Sequence, residues 1–287
     1  MRRADTFASS AMHFPRSLGR GKALQTSHTF ANLSNERFGG DRMKTRPRCN
    51  PLMSTVHVVA LGGSLLRPEE AADRSMWMGQ FRQLVVHLEG NGRKIAFVVG
   101  GGLPAREGIE LAKDTVRDPR RLDQIGIAGT RLNATVLQQV LLEIGCDVAP
   151  NVPHTVDEAR QALESHHVVV MGGTVPGHTT DTVAVRLAAA VHARHCIIAT
   201  NVSHVYSKDP RKHEDAEALT ELTLAELAEI TGIGEPLEPG ASAVVDPVAV
   251  QVATDSGMSL AVLDGRDLSR LDRALDGELF EGTLIKA

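Results

Sequence analysis

Residues 171–181, Met-Gly-Gly-Thr-Val-Pro-Gly-His-Thr-Thr-Asp, have the composition of a phosphate-binding turn. Gly172, Gly173 and Gly177 lack the side chains that keep backbone N–H groups away from an anion, and Thr174, Thr179 and Thr180 add hydroxyl donors. The helical pattern that follows, with Val183, Leu187 and Val191 on one line, turns its positive N-terminal end toward the same place. Asp181 stands apart in this set. A carboxylate beside a phosphate is repelled unless it caps the helix, holds a metal or orders cations around a phosphoryl group in transfer. A cap and a catalytic role are both open to it, and they can coexist.

Two further turns have the same character: Gly62-Gly63-Ser64 and Gly100-Gly101-Gly102. One glycine turn after a strand is weak evidence, because glycines close many such junctions for steric reasons. Three of them can surround one multiply phosphorylated ligand, since ligands of open α/β sheets gather at the carboxyl ends of strands.

The elements that must position these turns are legible as periodicity. Apolar runs at 56–61, 95–99, 168–171, 196–199 and 260–263 predict strands buried on both faces, as in a parallel sheet. Helices are expected over 75–88, from Pro104 as first helical residue, over 122–143, after the capping pairs Thr155/Glu158 and Thr223/Glu226, and from the Asp246-Pro247 cap to Ser256. Residues 282–285 are expected to add an edge strand. The 122–143 helix concentrates Asp123, Thr130, Arg131 and Asn133 in its first half. They form either a solvated face or one wall of an acceptor pocket, with Asp123 accepting hydrogen bonds from sugar hydroxyls. Between strand and helix in the second half lies a long polar loop from Thr200. It ends in Lys208-Asp209-Pro210-Arg211-Lys212, a clamp for nucleotide phosphates or a solvated cluster.

Composition narrows the field. With 287 residues, 42% of them hydrophobic, the chain can build a sizeable core. A net charge of −4 gives no global basic field, and one Trp and one Tyr give no base-stacking platform, so nucleic acid is not an expected partner. No apolar run has membrane-spanning length. Cys49, Cys146 and Cys196 are far apart without C-x-x-C spacing, and the twelve histidines lack ligand spacing; no resident metal is expected, His166 and His167 read as structural or surface, and a reducing cytoplasm fits. Residues 1–53, rich in Arg, Ser, Thr and Asn, are expected to be a disordered extension: either an organelle transit peptide or, as we prefer, translated upstream sequence ahead of a start at Met53, with 54–287 one domain.

Taken together, Leu61-Gly-Gly-Ser64, Val98-Val-Gly-Gly-Gly102 with Arg106, Ile125-Gly126, residues 130–134, 171–181, 200–202, Val205-Tyr206, Asp209-Pro210, 242–247 and Gly282-Thr283 resemble the amino acid kinase superfamily. Within it the chain is most similar to archaeal-type uridylate (UMP) kinases. No Walker Gly-Lys-Ser/Thr is present, so the P-loop kinases are a different lineage. The resemblance implies a three-layer α/β/α sandwich around a mainly parallel sheet, hexamers, and transfer of the ATP γ-phosphoryl to UMP with Mg²⁺ accompanying ATP.

By the same resemblance, Gly101, Asp123, Thr174, Val175, Pro176, Gly177, His178, Thr179 and Thr180 would hold UMP. Gly62, Gly63, Ser64, Gly102 and Arg106 would face the ATP phosphates, with Thr200, Asn201, Tyr206 and Asp209 on the adenosine side. Asp181 and Arg106 would be catalytic. The chain departs from the family at Leu103, where a Lys is usual, and at Ser203-His204, where Asp-Gly is usual. Arg106, Lys208 or Lys212 would then supply the missing charge. The alternatives are a kinase for another small phosphorylated or carboxylate acceptor, and a nucleotide-binding regulator or storage protein that has lost turnover.

Overall fold

Strand β1 (Val56–Leu61) shows how the layers arise. Val58 and Ala60 point into one core while Val59 and Leu61 point into another, because side chains alternate across a strand. β2 (Lys94–Val99), β3 (Val168–Met171), β4 (His195–Thr200) and β8 (Ser259–Asp264) repeat this two-sided burial. A computed structural model describes residues 56–67, 71–208, 210, 213–231 and 245–287. The proposed extension 1–53 and its junction with the domain lie outside the described residues, as do Asp209, Arg211, Lys212 and residues 242–244.

The helices are α1 (Ala71–Gly90), α2 (Gly102–Ala112), α3 (Pro119–Glu143), α4 (Val156–Ser165), α5 (Thr180–Ala190), α6 (Leu224–Thr231), α7 (Pro247–Ser256) and α8 (Leu268–Asp276). The remaining strands are β5 (Val205–Tyr206), β6 (Ala218–Leu219), β7 (Glu221–Thr223) and β9 (Thr283–Lys286). The sheet runs β3-β2-β1-β4-β8-β9-β7, and β5 and β6 form a separate antiparallel ribbon. Residues of α4, α5, α6 and α7 fill one core; α1, α3 and α8 fill the other. The expected three-layer sandwich is therefore present.

Phe81 and Phe97 are fully buried and meet edge to face at 5.0 Å, and Trp77 stacks on Phe81 at 5.3 Å. Each such ring contributes on the order of 1.5–3 kcal/mol through burial. Trp77 also donates from Nε1 to Gly265 O at 2.8 Å, pinning α1 to the carboxyl end of β8.

Three expectations change. Residues 283–286 form an internal strand, antiparallel to β8 and parallel to β7, where an edge strand was expected. Pro104 is the third residue of α2, which already starts at Gly102; the first turn needs no N–H partner there, so proline is tolerated. Helix α3 begins at Pro119 under the cap Asp118, which accepts from Arg120 N at 2.9 Å. The two capping pairs form as expected: Thr155 and Thr223 accept from Glu158 N and Glu226 N at 3.1 and 3.2 Å. His166 and His167 are structural, both rings meeting the Asp147 carboxylate, at 2.7 and 2.9 Å. The His166 contact is the main reason that carboxyl is held down at about 2.

Candidate active site

β1, β2, β3, β4 and β8 are parallel, so their carboxyl ends share one pole of the sheet. The three glycine turns meet there. Gly62 N donates to Ala199 O and Gly100 N to Leu61 O, each at 2.8 Å, stitching neighbouring turns together by backbone alone. A Cβ on Gly63 would lie 2.3 Å from Gly100 O and 2.4 Å from Gly102 N. Gly102 has φ +55°, and a Cβ there would lie 2.7 Å from the Gly63 backbone. Backbone packed on backbone has no rotamer to yield, so both positions require glycine.

Gly101 is the N-cap of α2 and supplies no side-chain cap. The first N–H groups of α2 are thus left for a ligand, which is the arrangement that binds phosphate at helix N-termini. Leu103, in that first turn, is 46% exposed and brings no charge. Arg106 is exposed on the same helix, with no ion pair among the described residues. Lys208, a candidate source of compensating charge, is instead paired with Asp215 at 2.5 Å.

The polar residues of α3 fasten the turns. Asn133 is buried and donates from Nδ2 to Gly100 O and Gly101 O at 2.8 and 2.9 Å. Its Oδ1 accepts from Arg67 at 3.4 Å, a cation at this pole that sequence reasoning missed. Thr130 Oγ1 donates to Ile127 O at 2.6 Å and accepts from Gly173 N at 2.7 Å. Arg131 donates to Gly173 O and Thr174 O at 3.2 and 3.4 Å. Asp123 Oδ2 accepts from Gly177 N at 2.8 Å, where φ is +83°. A merely solvated face would not do this: all four bond the glycine backbone and hold it in place.

At the third turn the helix cap is Thr179, which accepts from Thr182 N at 3.3 Å, so Asp181 is not the cap. Thr179 and Thr182 hydroxyls both donate to Asp246 Oδ2, at 2.5 and 2.6 Å, while Asp246 Oδ1 accepts from Val248 N at 3.1 Å. Asp246, expected only as the cap of α7, therefore also anchors the start of α5. Burial first, and then the nearby Asp246 carboxylate, push Asp181 up to about 7. Burial, ahead of repulsion by Arg186, lowers His178 below the ordinary imidazole range.

On the remaining side, Thr200 O accepts from Gly265 N at 2.8 Å, and Asn201 is exposed. Ser203 Oγ lies 2.9 Å from Tyr206 Oη, and His204 meets the Tyr206 ring edge-on at 6.3 Å. Among the described non-glycine residues only His192 has positive φ, so His204 serves in this loop without backbone strain. Asp209 lies outside the described residues.

Parallel strands feeding glycine turns, a helix start without a side-chain cap and a raised carboxyl are the elements from which α/β phosphate-handling sites are built. Among the described residues, no group of three His, Cys, Asp or Glu is placed to hold a metal ion. Residues 55–264 match the amino acid kinase family, and the chain belongs to that family. It is similar to the uridylate kinase of Methanocaldococcus jannaschii, 36% identical over 229 residues covering 80% of this chain and 98% of that one. The uridylate kinase of Haloarcula marismortui is 37% identical, over 79% of this chain and 97% of its own. The crystal structure of uridylate kinase from Archaeoglobus fulgidus superposes with a TM-score of 0.69 at 35% identity, covering 80% of this chain and 99% of that one. A Bacillus anthracis UMP kinase structure, 22% identical with a TM-score of 0.65, shares the fold.

Proposed function

We propose that this chain transfers the γ-phosphoryl group of ATP to UMP, giving UDP and ADP. The observation that carries the reading is the gathering of three glycine turns at one pole of the sheet, with the raised Asp181 carboxyl in the helix that follows the third, on a fold shared with relatives named uridylate kinases. A phosphate oxygen of UMP would attack the γ-phosphorus as the bond to the β–γ bridging oxygen breaks, with no covalent enzyme intermediate. Gly101, Asp123 and residues 174–180 would hold UMP. Gly62, Gly63, Ser64, Gly102 and Arg106 would hold the ATP phosphates, with Thr200, Asn201, Tyr206 and Asp209 toward adenosine. Catalysis is then alignment plus charge neutralisation by fixed donors.

Mg²⁺ fits this donor set as a companion of ATP. Octahedral Mg²⁺ is typically held by one or two carboxylates together with substrate phosphates. Asp246 spends both oxygens on Thr179, Thr182 and Val248, which leaves Asp181 as the carboxylate for that role. Bound there, the ion would neutralise charge developing on the phosphoryl oxygens.

Purified protein with ATP, Mg²⁺ and a panel of UMP, CMP, dUMP, acetylglutamate and isopentenyl phosphate tests the reading. UDP formation with UMP as the preferred acceptor is expected. The exposed Leu103, in place of a cation, favours one second reading, a nucleotide-binding regulator; nucleotide binding without turnover would establish it instead. Deleting residues 1–52 is expected to leave transfer intact. Hexamer assembly and a cytoplasmic location belong to the same reading, and sedimentation and fractionation check them; no helix among the described residues is long and apolar enough to cross a membrane.

A further inference from the structure

The opposite pole of the sheet carries a second charged site. A pocket of about 170 Å³ is lined by Val56, His57, Arg93, Arg194, His195, Leu275, Asp276 and Gly277. His57 and His195 sit at the starts of β1 and β4, one step before the paired residues Val58 and Cys196, and so face the same side of the sheet. Further along those rows lie Val59, Leu61, Ile197 and Ala199, all in the core covered by α1 and α8. Two histidines thus replace the apolar residues the rows would otherwise carry. Neither ring forms a hydrogen bond among the described residues, and Arg194 is exposed with no ion-pair partner there. Arg93 Nη1 lies 2.5 Å from Asp276 Oδ1, yet no described residue offers that atom an acceptor in hydrogen-bonding direction. Two guanidinium groups and two imidazoles against one carboxylate form an oxyanion's complement.

We propose that this pocket binds a phosphate-class oxyanion, separate from the nucleotide site. Its volume is below the roughly 300–1,000 Å³ of pockets that enclose whole drug-sized ligands, so an anionic group would enter and any organic part would remain outside. Burial first, then repulsion from Arg93 and His195, hold His57 down at about 4, with Asp276 opposing; burial and then Arg194 lower His195. Both rings are therefore neutral near pH 7, and a bound anion reverses the repulsion and draws protons in. Binding must strengthen as pH falls.

Sulfate, whose charge is constant near neutrality, is the first probe. It is titrated calorimetrically into the full-length protein with UMP and a non-hydrolysable ATP analogue present to fill the nucleotide site. One sulfate per chain is expected, several-fold tighter at about pH 6 than at about pH 7.5, with net proton uptake measured from buffers of different ionisation enthalpy. Arg194→Gln, an exposed substitution that the fold should tolerate, should weaken binding tenfold or more; a His57→Gln/His195→Gln double variant should abolish the proton uptake. Neither should change kcat or KM for UMP. Inorganic phosphate and ribose 5-phosphate then separate the sources: tighter binding of the ester marks a sugar phosphate, equal or weaker binding marks free phosphate. Undiminished binding in Arg194→Gln, binding without proton uptake, or no sulfate binding overturns the proposal. Since the readout is the difference between variants, it stands apart from whether UMP is the acceptor.

Discussion

The two proposed sites, at opposite poles of the sheet, would meet anions by opposite means. At the carboxyl pole the donors are backbone N–H groups, and side chains such as Asn133, Thr130 and Arg131 serve mainly to hold that backbone. At the amino pole the donors are side chains, and the backbone only spaces them. A backbone cradle presents fixed dipoles that need no reorganisation, which suits catalysis. A side-chain cradle can change its charge, which suits a site whose occupancy follows pH.

The contrast breaks most sharply at Gly63. An added Cβ meets backbone atoms at 2.3 and 2.4 Å, so Gly63→Ala should lower kcat/KM for transfer by about a thousandfold, roughly 4 kcal/mol, in protein whose circular dichroism is native. Near-normal kinetics would mean that the turns can part without cost. Asp181→Asn comes next: kcat is expected to fall about a hundredfold, roughly 2.7 kcal/mol, with UMP affinity largely kept. Because Thr179 is the cap, a surviving kcat in this variant could not be credited to capping and would remove the catalytic assignment.

Asp181 also predicts a slope in stability. Its pKa rises from 3.8 unfolded to about 7 folded, so between those values the folded chain keeps a proton that the unfolded chain has lost. Stability should therefore fall as pH rises from about 4 through 7 in nucleotide-free protein, and Asp181→Asn should flatten that part of the profile in thermal melts. The smallest effect belongs to Asp147, near the amino end of β3. Its pKa is depressed to about 2, so its contribution is present above about 3.8 and is lost as pH falls toward 2. Being partly exposed, the Asp147→Asn variant should lose no more than about 1 kcal/mol at neutral pH, and acid titration of its Tm should show a shallower decline.

What sequence revealed follows the same division. Strands, glycine turns and the capping pairs were readable because each is a local pattern: alternation, a missing side chain, or residues three apart. Asp246 was legible as a cap but not as the anchor of Thr179 and Thr182, which lie 67 and 64 residues away in sequence. Asn133 and Thr130 were visible as misplaced polarity on a helix, and nothing local could say that their partners would be carbonyl and amide groups of two glycine turns. The amino-pole pocket draws on β1, β4, the start of β2 and the end of α8, with no spacing to betray it. Residues 283–286 read as an edge strand because sequence shows pairing capacity and not neighbours.

That last strand sets a timetable for biosynthesis. β7 pairs within the sheet only with β9, and Thr283 accepts from Val205 N while donating to Leu219 O, tying the β5–β6 ribbon to the same late segment. At about 5–20 residues per second, the roughly 60 residues between β7 and β9 take on the order of 3–12 s to synthesise. Throughout that interval the nascent chain holds β7 without its sheet partner and the ribbon without its fastening. The β5–β6 ribbon and β7 thus reach their final pairing only after β9 has been made.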